Sequence, residues 1–122
     1  MKKIFTLSTI ALFTIITLSA CSKRTYIDND ENYWFSKEKG EVVYSSPSCS
    51  FYVVQTYNGY TVVNSVDGYR PFERSIVYGN FSNRGTRDMY NYSNDVIIRG
   101  DVTDYWLSYA EAQSAVDYYC YY

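Results

Sequence analysis

The chain carries sixteen tyrosines and no histidine. Without imidazole it lacks the commonest general base and the commonest metal ligand near neutral pH, which excludes a Ser-His-Asp hydrolase. Cys49 and Cys120 likewise have no histidine to activate them as nucleophiles. What remains for acid and base work is carboxylate chemistry, and Asp101 with Asp104, or Glu73 with Asp88, are the pairs whose convergence would allow it. Acids on strands and turns ordinarily serve as solvated surface. Asp28, Asp30 and Glu31 lack the glycine and the distal glutamate of a calcium loop. The expectation is a chain with no catalytic residue, no metal site and no cofactor.

Tyrosine is the residue type in excess. All sixteen follow Cys21, and with Phe35, Phe51, Phe72, Phe81, Trp34 and Trp106 they make 22 aromatics in the 102 residues from Cys21 onward. Most must serve packing, since a tyrosine ring buries well on a strand while its hydroxyl reaches water. Those left exposed form a platform for a saccharide or a peptide. The candidates are Tyr57 and Tyr60, at the end of a predicted hairpin, with Tyr69 and Phe72 in the loop that follows.

The first twenty residues have a different character. Lys2 and Lys3 precede an uncharged run from Ile4 to Ala20, rich in Leu and Ile but punctuated by Thr6, Thr9, Thr14 and Thr17. The run is shorter than the roughly 20 apolar residues of a membrane span and has the layout of a signal peptide. Its end, Leu18-Ser19-Ala20-Cys21, resembles the lipobox of bacterial lipoproteins. That resemblance implies cleavage before Cys21, a diacylglyceryl group on its sulfur and acylation of the new amine. Each buried CH₂ contributes about 0.8 kcal/mol, so two or three chains hold firmly where one would be marginal. Ser22 is not the aspartate that retains lipoproteins at the inner membrane of enteric bacteria, so the resemblance implies an outer-membrane location, periplasmic or surface-facing. The Tyr, Asn and Ser richness of the remainder is similar to that of small uncharacterised lipoproteins of Bacteroidota.

The expected organisation is a signal peptide over 1–20, a lipidated cysteine and polar tether over 21–32, and one β-rich domain over 33–122. From Cys21 onward nine basic residues stand against thirteen acidic ones, a formal charge of −4. Such a chain is poorly matched to nucleic acid, which needs basic patches. With Cys21 set aside, Cys49 and Cys120 form an even remainder in a compartment that permits disulfides. They are either bridged or buried as two thiols.

Several elements can be read within the domain. Asp30 to Gly40 has acids first, lysines last and a closing glycine, as a short helix would. Phe51 to Tyr57 and Tyr60 to Val66 are β-branched and aromatic and flank Asn58-Gly59, a strong hairpin signal. A two-residue turn there sets Tyr57 opposite Tyr60 and Phe51 opposite Val66. A second hairpin joins Ser75–Phe81 to Thr86–Tyr92, and Val96 to Trp106 is long enough to serve a small sheet twice if it bends. Gly79 and Gly100, inside strand patterns, mark kinks or close approaches that favour a strongly curved sheet. Ser108 and Glu111 have capping-box spacing, with Leu107 and Ala112 as a staple, so a helix runs from about Tyr109 to Tyr118. The expected fold is therefore mainly β: a small five- to six-stranded curved sheet or barrel, SH3-like or alternatively OB-like, with a C-terminal α-helix.

The function these features point to is a lipid-anchored, non-enzymatic binding or structural module of the cell envelope. Its partners would be the membrane, through the acyl anchor, and a glycan or envelope protein. An inhibitor or immunity-type lipoprotein acting on a periplasmic enzyme is the alternative, since an acidic domain steers toward a basic target.

Overall fold

The computed structural model describes residues 32–121; the export segment, Cys21 and the tether up to residue 31 lie outside them. Six strands, β1 (Glu38–Ser45), β2 (Phe51–Thr56), β3 (Gly59–Ser65), β4 (Ile76–Gly79), β5 (Gly85–Asn91) and β6 (Val96–Leu107), precede a helix over Tyr109–Tyr121. All pair antiparallel and close into a barrel in the order β1-β2-β3-β6-β5-β4. The mainly β barrel with a C-terminal helix is as the sequence implies. The strand order is two three-stranded meanders, with the 66–75 connection carrying the chain from β3 to β4, beside β1.

Both faces of β2 and β3 are buried, which explains their unbroken apolar runs. Tyr52, Val54 and Val63 point into the barrel with Val42, Val77, Phe81, Met89, Ile98 and Val102. Thr61 is also enclosed and donates to the Phe81 carbonyl at 2.9 Å, so its hydroxyl is satisfied. On the outside, Val53 and Val62 are covered by Ala112 and Val116 of the helix. The interior is narrow: a Cβ on Gly100 would lie 2.5 Å from the Val63 Cγ1, and one on Gly40 would lie 2.3 Å from the Val54 Cγ1. β6 bends as its length requires, pairing with β5 from Val96 to Val102 and with β3 from Gly100 to Leu107.

Two local expectations are corrected. Of the helix expected over Asp30–Gly40, the described residues are helical only at 32–35, and from Glu38 the chain is already in β1. Two aromatics at its end pack on strands: Trp34 stacks on Tyr90 at 6.0 Å, and Phe35 lies 5.1 Å from Tyr78 and 5.8 Å from Tyr92. The β2–β3 hairpin turns on Tyr57-Asn58, so Gln55 rather than Tyr57 faces Tyr60, and Phe51 faces Asn64 rather than Val66. Gly59, at φ +123°, takes a ladder position instead of a turn position. A shift of two residues changes every partner but leaves every side chain on its expected face.

Candidate functional site

The helix is fixed at both ends and along one flank. Ser108 Oγ accepts from the Glu111 backbone N–H at 3.2 Å, and the Ser108 N–H donates to Glu111 Oε1 at 2.9 Å, completing the capping box. The Ser108 backbone N–H, with the Ser108 hydroxyl, holds the Glu111 carboxyl below the usual glutamate range. Toward the other end Tyr119 stacks on Phe51 at 4.5 Å and 6° and donates its hydroxyl to Asp104 Oδ2 at 2.8 Å. That hydrogen bond, with some burial, raises the Tyr119 phenol. Cys49, in the β1–β2 loop, is joined to Cys120 by a disulfide with Cα atoms 5.6 Å apart.

The opposite flank of the helix, toward β1, is open. A cleft of ≈ 210 Å³ runs there between the helix and the outer face of β1, β2 and β3. The helix contributes Tyr109, Gln113, Asp117 and Tyr121, spaced four apart and so stacked along one side. The sheet contributes Val43, Tyr44, Val53 and Tyr60, and Ala112 and Val116 complete an apolar floor. A bulge makes the sheet wall: between Val42 and Tyr44 the register with β2 slips, so Val43 is an extra residue and lines the cleft beside Tyr44.

Tyrosines close both ends of the cleft. Tyr60 meets Tyr109 edge to face at 5.7 Å. At the far end Tyr44 is raised in pKa by burial and by a hydrogen bond with Tyr121, with the Asp117 charge adding to the shift. Between them, Gln113 and Asp117 make no side-chain hydrogen bond or ion pair among the described residues. The arrangement offers ring faces, one amide and one carboxylate around an apolar floor.

Of the four aromatics expected to form one platform, only Tyr60 lies in this cleft. Tyr57 sits at the hairpin tip, fully exposed, beside a shallow groove with Lys39, Glu41 and Ile76. Tyr69 packs against the barrel core, and its hydroxyl accepts from Asn94 Nδ2 at 2.8 Å. Phe72 is exposed on the β3–β4 connection. The carboxylates are engaged separately: Asp88 pairs with Arg99 at 2.9 Å, Glu73 accepts from the Ser45 N–H at 3.3 Å, and Asp104 holds Tyr119. Among the described residues no three His, Cys, Asp or Glu side chains gather as a metal site would require.

Sequence reasoning missed the helix stripe at 109, 113, 117 and 121, although its spacing of four was present to be found. It also missed Trp106, which is exposed at φ +57° and donates its indole N–H to Ser82 Oγ at 2.8 Å. Its cause is a bulge in β6, where Tyr105 and Trp106 together face Thr61 of β3.

Comparison with known proteins places no relative beside this chain: no family model matches it, and no curated protein or solved structure matches it significantly.

Proposed function

We propose that the protein is a lipid-anchored binding module of the bacterial envelope that engages its ligand in the tyrosine-walled cleft beside the C-terminal helix. The observation that carries the reading is the pairing of aromatic walls with two unengaged polar groups, Gln113 and Asp117, above an apolar floor. Binding sites are concave and largely apolar, with a few placed polar groups that set orientation. The anchor rests on the lipobox-like Leu18-Ser19-Ala20-Cys21. No helix among the described residues is long and apolar enough to cross a membrane.

Two measurements test the two halves. Cys21→Ala should release the protein from the membrane fraction or leave it unprocessed, and unchanged partition would defeat the anchor. A photoreactive side chain at position 113, in the cleft, should give a specific adduct in living cells that the same side chain at position 114, outside it, does not. Equal labelling from both positions, or none from either, would count against the cleft.

A further inference from the structure

Resting on the reading of this cleft as a binding site, we infer that its occupant is the cationic end of a lysine or arginine side chain presented by a partner protein. Three observations lead there.

The first is charge. Among the residues lining the cleft Asp117 is the sole ionised group, and no lysine or arginine accompanies it. It makes no ion pair or hydrogen bond among the described residues, whereas Asp88, Asp95 and Asp104 each accept from a neighbouring side chain. An unengaged carboxylate against an apolar floor attracts a cation and repels an anion, and the formal charge of −4 from Cys21 onward favours the same partner at longer range.

The second is the wall chemistry. Tyr44 and Tyr121 line the end of the cleft near the carboxylate, Tyr60 and Tyr109 line the other end, and together they supply rings and hydroxyl oxygens. Ring faces attract a cation, most strongly where water is partly displaced, and hydroxyl oxygens accept the N–H donors that ammonium and guanidinium groups supply. The Val53, Ala112 and Val116 floor suits the methylene stem of such a side chain.

The third is size. A cleft of ≈ 210 Å³ is smaller than the roughly 300 Å³ at which pockets for drug-sized ligands begin. Its measured space suits one long side chain better than a folded peptide or several sugar rings. The partner is therefore a protein that inserts a basic residue, with its remaining contacts made at the rim, where Tyr109, Gln113 and Tyr121 are exposed together with Asp117.

The test uses the full chain in detergent, with its tyrosine rings carbon-13 labelled, titrated with N-acetyl-arginine methylamide, N-acetyl-lysine methylamide and the neutral citrulline counterpart. Either cation should shift the ring signals of Tyr60, Tyr109 and Tyr44, and citrulline should bind at least about tenfold more weakly. Asp117→Asn should lose at least about tenfold in affinity for the cations and nothing for citrulline, as loss of a charge-assisted contact requires. The ring signal of Tyr52 inside the barrel reports whether each variant is folded. Citrulline binding as tightly as arginine, or full cation affinity in Asp117→Asn, would overturn the inference. If N-acetylglucosamine alone shifts these rings, the cleft remains a binding site but not for a cation. Spermidine binding far more tightly than either amino acid probe would replace the protein side chain with a free polyamine. If no probe moves the cleft tyrosines, this inference fails alone where the position-113 adduct forms, and both readings fail where it does not.

Discussion

Tyr52 is the largest side chain enclosed within the barrel, and its hydroxyl has a poor partner, the Met89 Sδ at 3.8 Å. Burial, with the charge of Asp67, pushes its phenol far above the ordinary tyrosine range. In the unfolded chain the same phenol ionises near pH 10. Below that pH both states hold the proton, and stability is fully present. Above it the unfolded chain loses the proton while the folded protein keeps it, so stability falls by about 1.4 kcal/mol per pH unit from this group until the folded pKa is reached. Tyr44 and Tyr119 are raised too and act in the same direction. Tyr52→Phe removes the group but keeps the ring. It should therefore alter stability at neutral pH by less than about 1 kcal/mol, because a weak sulfur hydrogen bond is all that is lost. Urea midpoints measured from neutral pH to about one unit above the tyrosine pKa should decline less steeply in the variant than in the parent. An equally steep decline would place the alkaline sensitivity elsewhere.

At the level of elements, bulges decide what the strands present. In β6 the bulge holds Trp106 at φ +57°, a conformation that costs a bulky L-residue about 1–2 kcal/mol. On an ordinary exposed strand site valine outranks asparagine, but at positive φ a β-branched residue is the worse of the two. Trp106→Asn should therefore be more stable than Trp106→Val by about 1 kcal/mol in chemical denaturation, and the reverse order would mean that the bulge relaxes when the indole is removed. Bulges also mark where sequence reading stopped. The apolar runs of β2, β3 and β6 and the capping box at Ser108 are written in residue types, and they gave the strands and the helix. β1 was hidden because the inward side of its first half holds Glu38 and Gly40, neither of them apolar, while Lys39 and Glu41 face outward, so no alternation of apolar and polar residues shows. The cleft was hidden for a related reason. Its sheet wall depends on the extra residue Val43, and no alternating pattern announces an insertion of one. Tyr57 and Tyr60 looked like one site because they flank a turn, yet the shifted register puts Tyr57 at the tip and Tyr60 under Tyr109.

For the whole molecule the question is how firmly the helix is held, because the helix is half of the cleft. Thirteen residues are marginal as an isolated helix in water, and only Ala112 and Val116 are fully buried on it. The barrel, by contrast, is closed, with every strand paired on both sides and a continuous interior. The stability of the helix on the barrel must therefore come from a few contacts: Ala112 and Val116 on Val53 and Val62, the Tyr60–Tyr109 and Phe51–Tyr119 ring contacts, the Tyr119–Asp104 hydrogen bond and the disulfide. The disulfide spans 71 residues, and in the chain-entropy model closing a loop of this length contributes about 4 kcal/mol, a substantial share of the stability of a small domain. Its loss should not weaken all parts equally. With both cysteines replaced by serine, amides of 109–121 should exchange with solvent well before those of β2, β3 and β6, as expected when a weakly held element opens ahead of the core. Affinity for a cleft ligand should fall with the helix protection, and added ligand should restore both, since it binds only the closed arrangement. If helix and strands lose protection together, barrel and helix form one cooperative unit, and the bridge stabilises the whole domain rather than one wall of its cleft.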